Sequence, residues 1–388
     1  MAEMSRPEIP AEAVLAPVAA QSWAAHAGEE AKERILLIGT RTVNGSASQG
    51  IYSYRWDPAA GELHSHKLAA VSDNPTYLAT DPDARYLYAA NELQQFEGNP
   101  GGAVSAFAID RSTATLRLIN QVASLGAGTC YVTVDNTGSD LFCANYVGGS
   151  SSSFLAAPDG RITNSISHFQ YHGHGPNPAR QASPHAHRVT VSPDNRFLLV
   201  NDLGLDCIHI YLLDAATARL TPNDPPLWQA GPGSGPRALR FHPSKHIAYC
   251  VCEMGSEVYV LEWNHENGTL HELQRLSLVL AGYDGPSRGA DVVLNRAGTF
   301  AYIANRDYNC LDSFAVDPAI GRLTFLHRGS CGGKIPRHLV LDPTERWLLV
   351  ANQDSEYISV FARDIDTGTL IETGRNYPAP VPQCLVFA

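Results

Sequence analysis

The chain has 388 residues, 44% of them hydrophobic, with a formal net charge of -11 and an isoelectric point near 5.7. No run of Lys or Arg offers a footprint to nucleic acid or to an anionic membrane, and no window approaches the roughly 18 to 20 consecutive apolar residues of a spanning helix. Neither nucleic acid nor membrane is an expected partner.

Residues 1–34 are rich in Ala, Glu and Pro. Glu3 and Glu8 have only Arg6 between them, and Pro17 breaks the apolar run around Ala13-Val14-Leu15, which makes a poor secretory signal. A flexible or loosely docked extension is expected there, ahead of a folded region over 35–388. That region opens with three strand-like runs, ILLIGT (35–40), GIYSYRWD (50–57) and ELHSHKLA (62–69). Six copies of one pattern follow: a turn of the Asp-Pro-Asp type, an apolar run, then an Asn, acidic, Arg or Gln residue. They are TDPDARYLYAANE (80–92), VDNTGSDLFCANY (134–146), VSPDNRFLLVNDL (191–203), FHPSKHIAYCVCE (241–253), LNRAGTFAYIANR (294–306) and LDPTERWLLVANQ (341–353). Their turns begin at 81, 135, 192, 242, 295 and 342, in steps of 54, 57, 50, 53 and 47. Each step is close to the ~40 to 50 residues of a four-stranded propeller blade.

Between turns, apolar residues alternate with period two, and Gly, Pro, Asn and Asp mark the breaks. A third strand follows each second one, as at AVSAFAID (103–110), CIHIYLLD (207–214) and EVYVLEWN (257–264), and a fourth follows a Thr-Gly type of turn. The three N-terminal runs match strands two, three and four of a blade that lacks its first, and PQCLVFA (382–388) matches the missing strand. The expected fold is all-β: a seven-bladed β-propeller of four-stranded antiparallel blades, its ring closed by pairing the N- and C-terminal strands in one blade. Closure leaves no open sheet edge, so a monomer is expected.

In an antiparallel hairpin, the start of strand one and the end of strand two lie at the same end. Strand one should therefore bring Thr76, Cys130, His187, Arg237, Ala290, Arg337 and Gln383 to one mouth of the central channel. Strand two should add Glu92, Tyr146, Leu203, Glu253, Arg306, Gln353 and Arg41. Arg, Glu and His on innermost strands are costly when unpaired, which favours an anionic ligand; the alternative is that Arg237 and Glu253 are ion-paired clasps between blades. Arg85, Arg196 and Arg346 fall in outer turns and should be solvated.

The insertion HFQYHGHGPNPARQASPHAH (168–187) holds five of the fifteen histidines. It lacks a carboxylate or thiolate and its spacing fits no zinc pattern, so His172, His174, His185 and His187 are not expected to hold a metal. A substrate lid over the channel fits better. Cys250 and Cys252 have no second pair and read as packing residues. Most of the eight cysteines lie inside apolar runs, which suits a reducing compartment and a cytoplasmic location. No phosphate-cradling Gly-rich loop and no GxSxG elbow is present, and no cofactor is expected.

These residues resemble the seven-bladed propeller lactonases, which include the propeller-type 6-phosphogluconolactonases and the fungal 3-carboxy-cis,cis-muconate lactonising enzymes. The resemblance covers about 35–388 and is carried by PHAHRVTVSPDNRFLLVNDLG, GPRALRFHPSKHIAYCVCE, GADVVLNRAGTFAYIANR and PRHLVLDPTERWLLVANQDS. It implies catalytic roles for His187, Arg237, Glu253 and Arg306, and around them His185, Glu92, Arg337, Gln353 and Tyr146 are the expected substrate contacts. The chain departs from the family pattern at Cys252, where Asn is usual, and in the length of its His-rich loop; both bear on substrate choice.

The expected activity is hydrolysis of an anionic sugar-acid lactone. Glu253 would be the general base, with His187 as base or as the acid that protonates the leaving alkoxide, while Arg237 and Arg306 hold the oxyanion and the substrate's carboxylate or phosphate. One alternative is a cycloisomerase closing a carboxymuconate to its lactone. Another is a non-catalytic propeller that binds a ligand or a protein.

Overall fold

The computed structural model describes residues 33–42 and 45–388; residues 1–32 of the expected N-terminal extension lie outside the described residues. The alternating runs form seven four-stranded antiparallel sheets. Blade one spans Pro75–Ala123, blade two Thr129–Gln170, blade three Ala186–Gln229, blade four Pro236–Ser277, blade five Gly289–Ser330 and blade six Pro336–Pro378. Blade seven joins Pro382–Phe387 to Arg34–Thr40, Gly50–Asp57 and Glu62–Val71, with Leu36 opposite Phe387 and Ile38 opposite Leu385. The ring is thus closed by its terminal strands, as the orphan runs predict. Among the described residues the only helical element is one 3-10 turn, Gln353–Ser355.

The core lies between blades. Phe197, Leu199 and Ile208 of blade three meet Leu239, Cys250, Cys252, Tyr259 and Trp263 of blade four. Each such side chain contributes roughly 1.5–3 kcal/mol when fully buried. Cys250 and Cys252 are fully buried packing residues.

Strand two opens on an aromatic ring in blades one, three, five and six, with Tyr86, Phe197, Phe300 and Trp347. Blade two has Asp140 there, fully buried, with neither carboxylate oxygen hydrogen-bonded. Burial, then the charges of Asp135 and Asp214, push its pKa from 3.8 up to about 7. Between those values the folded protein keeps a proton that the unfolded chain has released, so stability falls as pH rises through the window and stays low above it. Asp140→Asn should raise the melting temperature by several degrees at pH 8 and change it little at pH 4. Thermal unfolding followed by circular dichroism at the two pH values checks this, and an equal effect at both would contradict it.

Candidate active site

Each inner strand begins with the same irregularity. Pro236 pairs with Cys252 but Ala238 pairs with Val251, which leaves Arg237 without a partner across the ladder. The same slip leaves out Thr76, Cys130, His187, Arg337 and Gln383, and in blade five both Ala290 and Asp291. A bulge of this kind takes the extra residue out of the strand's alternation and re-aims it.

A second repeat fixes the strand-two exits beside the bulges. The backbone N–H of Glu92, Tyr146, Leu203, Glu253, Arg306, Gln353 and Arg41 donates to the carbonyl just ahead of strand one in its own blade, at 2.8–3.2 Å. In blade four that carbonyl belongs to Gly235, whose φ of +65° favours glycine and where an added Cβ would crowd the Met254 and Leu203 side chains at 3.0–3.2 Å.

The Asn that usually precedes the exit residue ties down the loop between blades: Asn91 donates to Asp73 O at 2.6 Å and Asn352 to Cys331 O at 3.1 Å. Blade four has Cys252 there and closes its loop differently. Asp206 accepts from the N–H groups of Gly233 and Gly235 at 2.7 Å each, and Ser234 donates to Glu257 at 2.6 Å. The Cys252 departure therefore acts on loop closure.

Glu253 is the hub of the polar cluster. Its Oε1 accepts from Arg180 Nη2 at 2.6 Å, and its Oε2 lies 3.2 Å from Arg237 Nε and 2.5 Å from Arg306 Nη2. Burial alone would raise the Glu253 carboxyl, but the charges of Arg306 and Arg237, with the hydrogen bond from Arg180, outweigh it and hold the group well below the usual carboxylate range. Three guanidiniums on one carboxylate leave the cluster electropositive, and Arg306 Nε is buried without a hydrogen-bond partner.

Arg337 adds a fourth guanidinium with no hydrogen-bond or ion-pair partner among the described residues. Burial, then the charges of Arg306 and Arg237, pull it down to about 9. Burial, with Arg237 and Arg288, likewise outweighs Glu253 and pulls Arg306 down to about 10. A guanidinium keeps its proton in a protein. The cost of this crowding is therefore relieved by an arriving anion rather than by proton loss.

Burial, reinforced by Arg237, pushes the His187 imidazole well below its ordinary 6.5, so the ring is neutral at pH 7. It stands edge-on to Tyr146 at 5.7 Å and makes no side-chain hydrogen bond among the described residues. Cys130 beside it is no nucleophile, because burial, then Glu92, pushes its thiol far up.

Thr76, Glu92, Cys130, His187, Arg237, Arg337 and Gln383 line a cleft whose floor is the next residue along several inner strands. There Arg188 Nη1 donates to Asp291 at 2.9 Å, Tyr77 stacks on Tyr131 at 3.8 Å, and Tyr77 Oη lies 3.2 Å from His338 Nε2. His338 Nδ1 accepts the Leu385 N–H at 3.3 Å, so Nε2 carries the proton of the neutral ring and neither nitrogen has a free lone pair. His338 is thus fully engaged, although Arg188 Nε in the same floor is buried without a hydrogen-bond partner, and His187 is the imidazole with capacity to spare.

The other expected contacts fall around this cleft. His185 stacks on Tyr146 at 4.5 Å, Glu92 faces Arg41 at 3.6 Å, and Gln353 accepts from Gln383 at 3.0 Å. The His-rich insertion reaches the cluster through Arg180, which the blade repeat does not indicate, while His172 and His174 point to solvent. Among the described residues, no three His, Cys, Asp or Glu side chains converge to hold a metal ion. Arg85 and Arg196 are exposed as expected, although Arg196 also donates to His265 O at 3.1 Å, while Arg346 is half-buried and donates to Pro58 O at 2.8 Å, tying blade six to blade seven.

A family model described as "Lactonase, 7-bladed beta-propeller" matches residues 35–387. A 6-phosphogluconolactonase of Bacillus subtilis is 33% identical over 355 residues, covering 90% of this chain and 97% of that protein. A 6-phosphogluconolactonase of Formosa agariphila is 30% identical over 83% of this chain and 90% of its own length. The solved structure of a periplasmic gluconolactonase from Pseudomonas aeruginosa superposes with a TM-score of 0.86 at 34% identity, covering 92% of this chain and 99% of that one.

Proposed function

The chain belongs to the seven-bladed β-propeller lactonase family and is a lactone hydrolase; on that footing we propose that its substrate is an anionic sugar-acid lactone, of the 6-phosphogluconolactone type, opened at the mouth of the channel. The observation that carries this reading is Arg337, a half-buried guanidinium that lines the cleft with no hydrogen-bond or ion-pair partner among the described residues. Arg237 and Arg306, the other candidate anion clamps, already face Glu253.

His187 is then the base. Arg306 and Arg237 stay on Glu253 Oε2 and hold that carboxyl well below the usual carboxylate range, which makes it a weak base, whereas His187 is neutral and unbonded. His187 takes a proton as water adds to the lactone carbonyl, and the carbonyl oxygen gathers negative charge that Arg337 and Arg306 stabilise. The tetrahedral adduct collapses by breaking the bond to the ring oxygen, and the imidazolium returns its proton to that alkoxide. One water is consumed, and a hydroxy acid forms that ionises at neutral pH. Glu253 keeps Arg237 and Arg306 in place and offsets part of their charge.

Proton release on adding 6-phosphogluconolactone, followed by pH-stat, tests the reading. Arg337→Ala should lower kcat/KM by about 10²–10³-fold while the protein stays folded. Absence of proton release in the wild type, or an unaffected Arg337→Ala, would sink it; consumption of a carboxymuconate followed by ultraviolet absorbance would point to the cyclising chemistry instead.

A further inference from the structure

Arg180 differs from the other arginines around Glu253 in three ways. It sits on the 168–187 insertion rather than on a blade. Its side chain is 35% exposed, where those of Arg237 and Arg306 are 7% and 4% exposed. Its bond to Glu253 is also electrostatically redundant, since Arg237 and Arg306 already outnumber that carboxylate.

The backbone under it is nevertheless fixed. Gln181, the next residue, is fully buried and donates to Leu203 O at 2.9 Å and to Asp206 at 2.7 Å. At the start of the loop Tyr171 bonds Ser151 at 2.7 Å and stacks on His209 at 3.9 Å. The side chain is therefore a guanidinium on a rigid mount, half in solvent, with a partner that can release it without leaving a bare charge.

From this we propose that Arg180 is a specificity residue: on substrate entry it leaves Glu253 Oε1 and takes the distal anionic group of the lactone, the phosphate in a phosphorylated sugar lactone. The proposal rests on the lactonase reading above and adds how the site tells a phosphorylated lactone from a neutral one. An exchange of one carboxylate for a dianionic phosphate favours the ligand, because phosphate offers more charge and more acceptor oxygens to the same guanidinium fork. A neutral sugar lactone offers Arg180 only uncharged acceptors, which do not displace the Glu253 carboxylate, so the guanidinium stays on Glu253.

The test compares the wild type, Arg180→Ala and Arg180→Lys on 6-phosphogluconolactone and on glucono-1,5-lactone, and measures by calorimetry the binding of the products 6-phosphogluconate and gluconate. The ratio of kcat/KM for the phosphorylated over the neutral lactone should fall about 10- to 100-fold in Arg180→Ala, the range expected for losing one charge-assisted hydrogen bond. The change should lie mainly in KM, with the neutral substrate little affected, and Arg180→Lys should recover part of it. 6-Phosphogluconate binding should weaken in parallel while gluconate binding does not. If both ligands weaken equally, or if neither does, Arg180 does not carry the discrimination. The binding arm reports on Arg180 even for a protein that opens neither lactone, an outcome that would instead overturn the proposed activity.

Discussion

Glu253→Gln should damage the fold and the turnover together. The substitution keeps the shape of the side chain and removes the one negative charge facing Arg180, Arg237 and Arg306, two of which are almost wholly buried. Removing one partner of a buried ion pair typically costs about 3–5 kcal/mol, because the partner's charge is left without compensation; here several guanidiniums are left at once. Thermal unfolding should show a large drop in melting temperature and lactone hydrolysis should fall below detection. The cause can be isolated by adding back the charge. Millimolar phosphate or sulfate should raise the melting temperature of Glu253→Gln by more than it raises that of the wild type, since an anion that binds only the folded state stabilises it by mass action. A variant that melts with the wild type, or one that no anion helps, would mean that Glu253 is not the counter-charge of this cluster.

The propeller was legible because its signal repeats: turn chemistry and alternation recur six times, four of those copies end strand two on Asn, and the missing first strand of blade seven appears as PQCLVFA at the other terminus. The rim positions were legible for the same reason, since hairpin geometry is common to all blades. What could not be read was what those side chains do to one another. Arg237 could be read as an anion clamp or as an ion-paired clasp, and it faces Glu253 together with Arg306, while Arg337, which holds the same place in the repeat as Arg237, has no ion-pair partner among the described residues. That difference depends on contacts between blades four, five and six, which sequence spacing does not encode. Arg180 escaped for a related reason: it lies on an insertion that breaks the repeat, so no register relates it to Glu253, and its five neighbouring histidines are the louder signal. The bulge that re-aims the inner-strand residues was also invisible, because an extra residue at the start of a strand leaves the alternation beyond it unchanged.

His187→Asn separates the two candidate bases. Asparagine can fill part of the ring's space but cannot accept a proton, so kcat should fall by about 10²–10⁴-fold. KM should move little, because substrate charge is met by the arginines, which the change leaves in place. The pH profile carries the stronger evidence. A base works only when unprotonated, and burial with Arg237 holds the His187 pKa well below 6.5. Wild-type kcat/KM should therefore stay level from neutral pH down past 6.5 and decline only further into acid. In His187→Asn that acid limb should vanish along with most of the rate. Were Glu253 the base, the variant would keep a limb of its own at still lower pH, because the arginines depress that carboxyl far below its ordinary range. A residual activity that still titrates in acid would thus return the role to Glu253. A flat residual profile leaves Glu253 as the charge that holds the arginines, with the proton moving on His187.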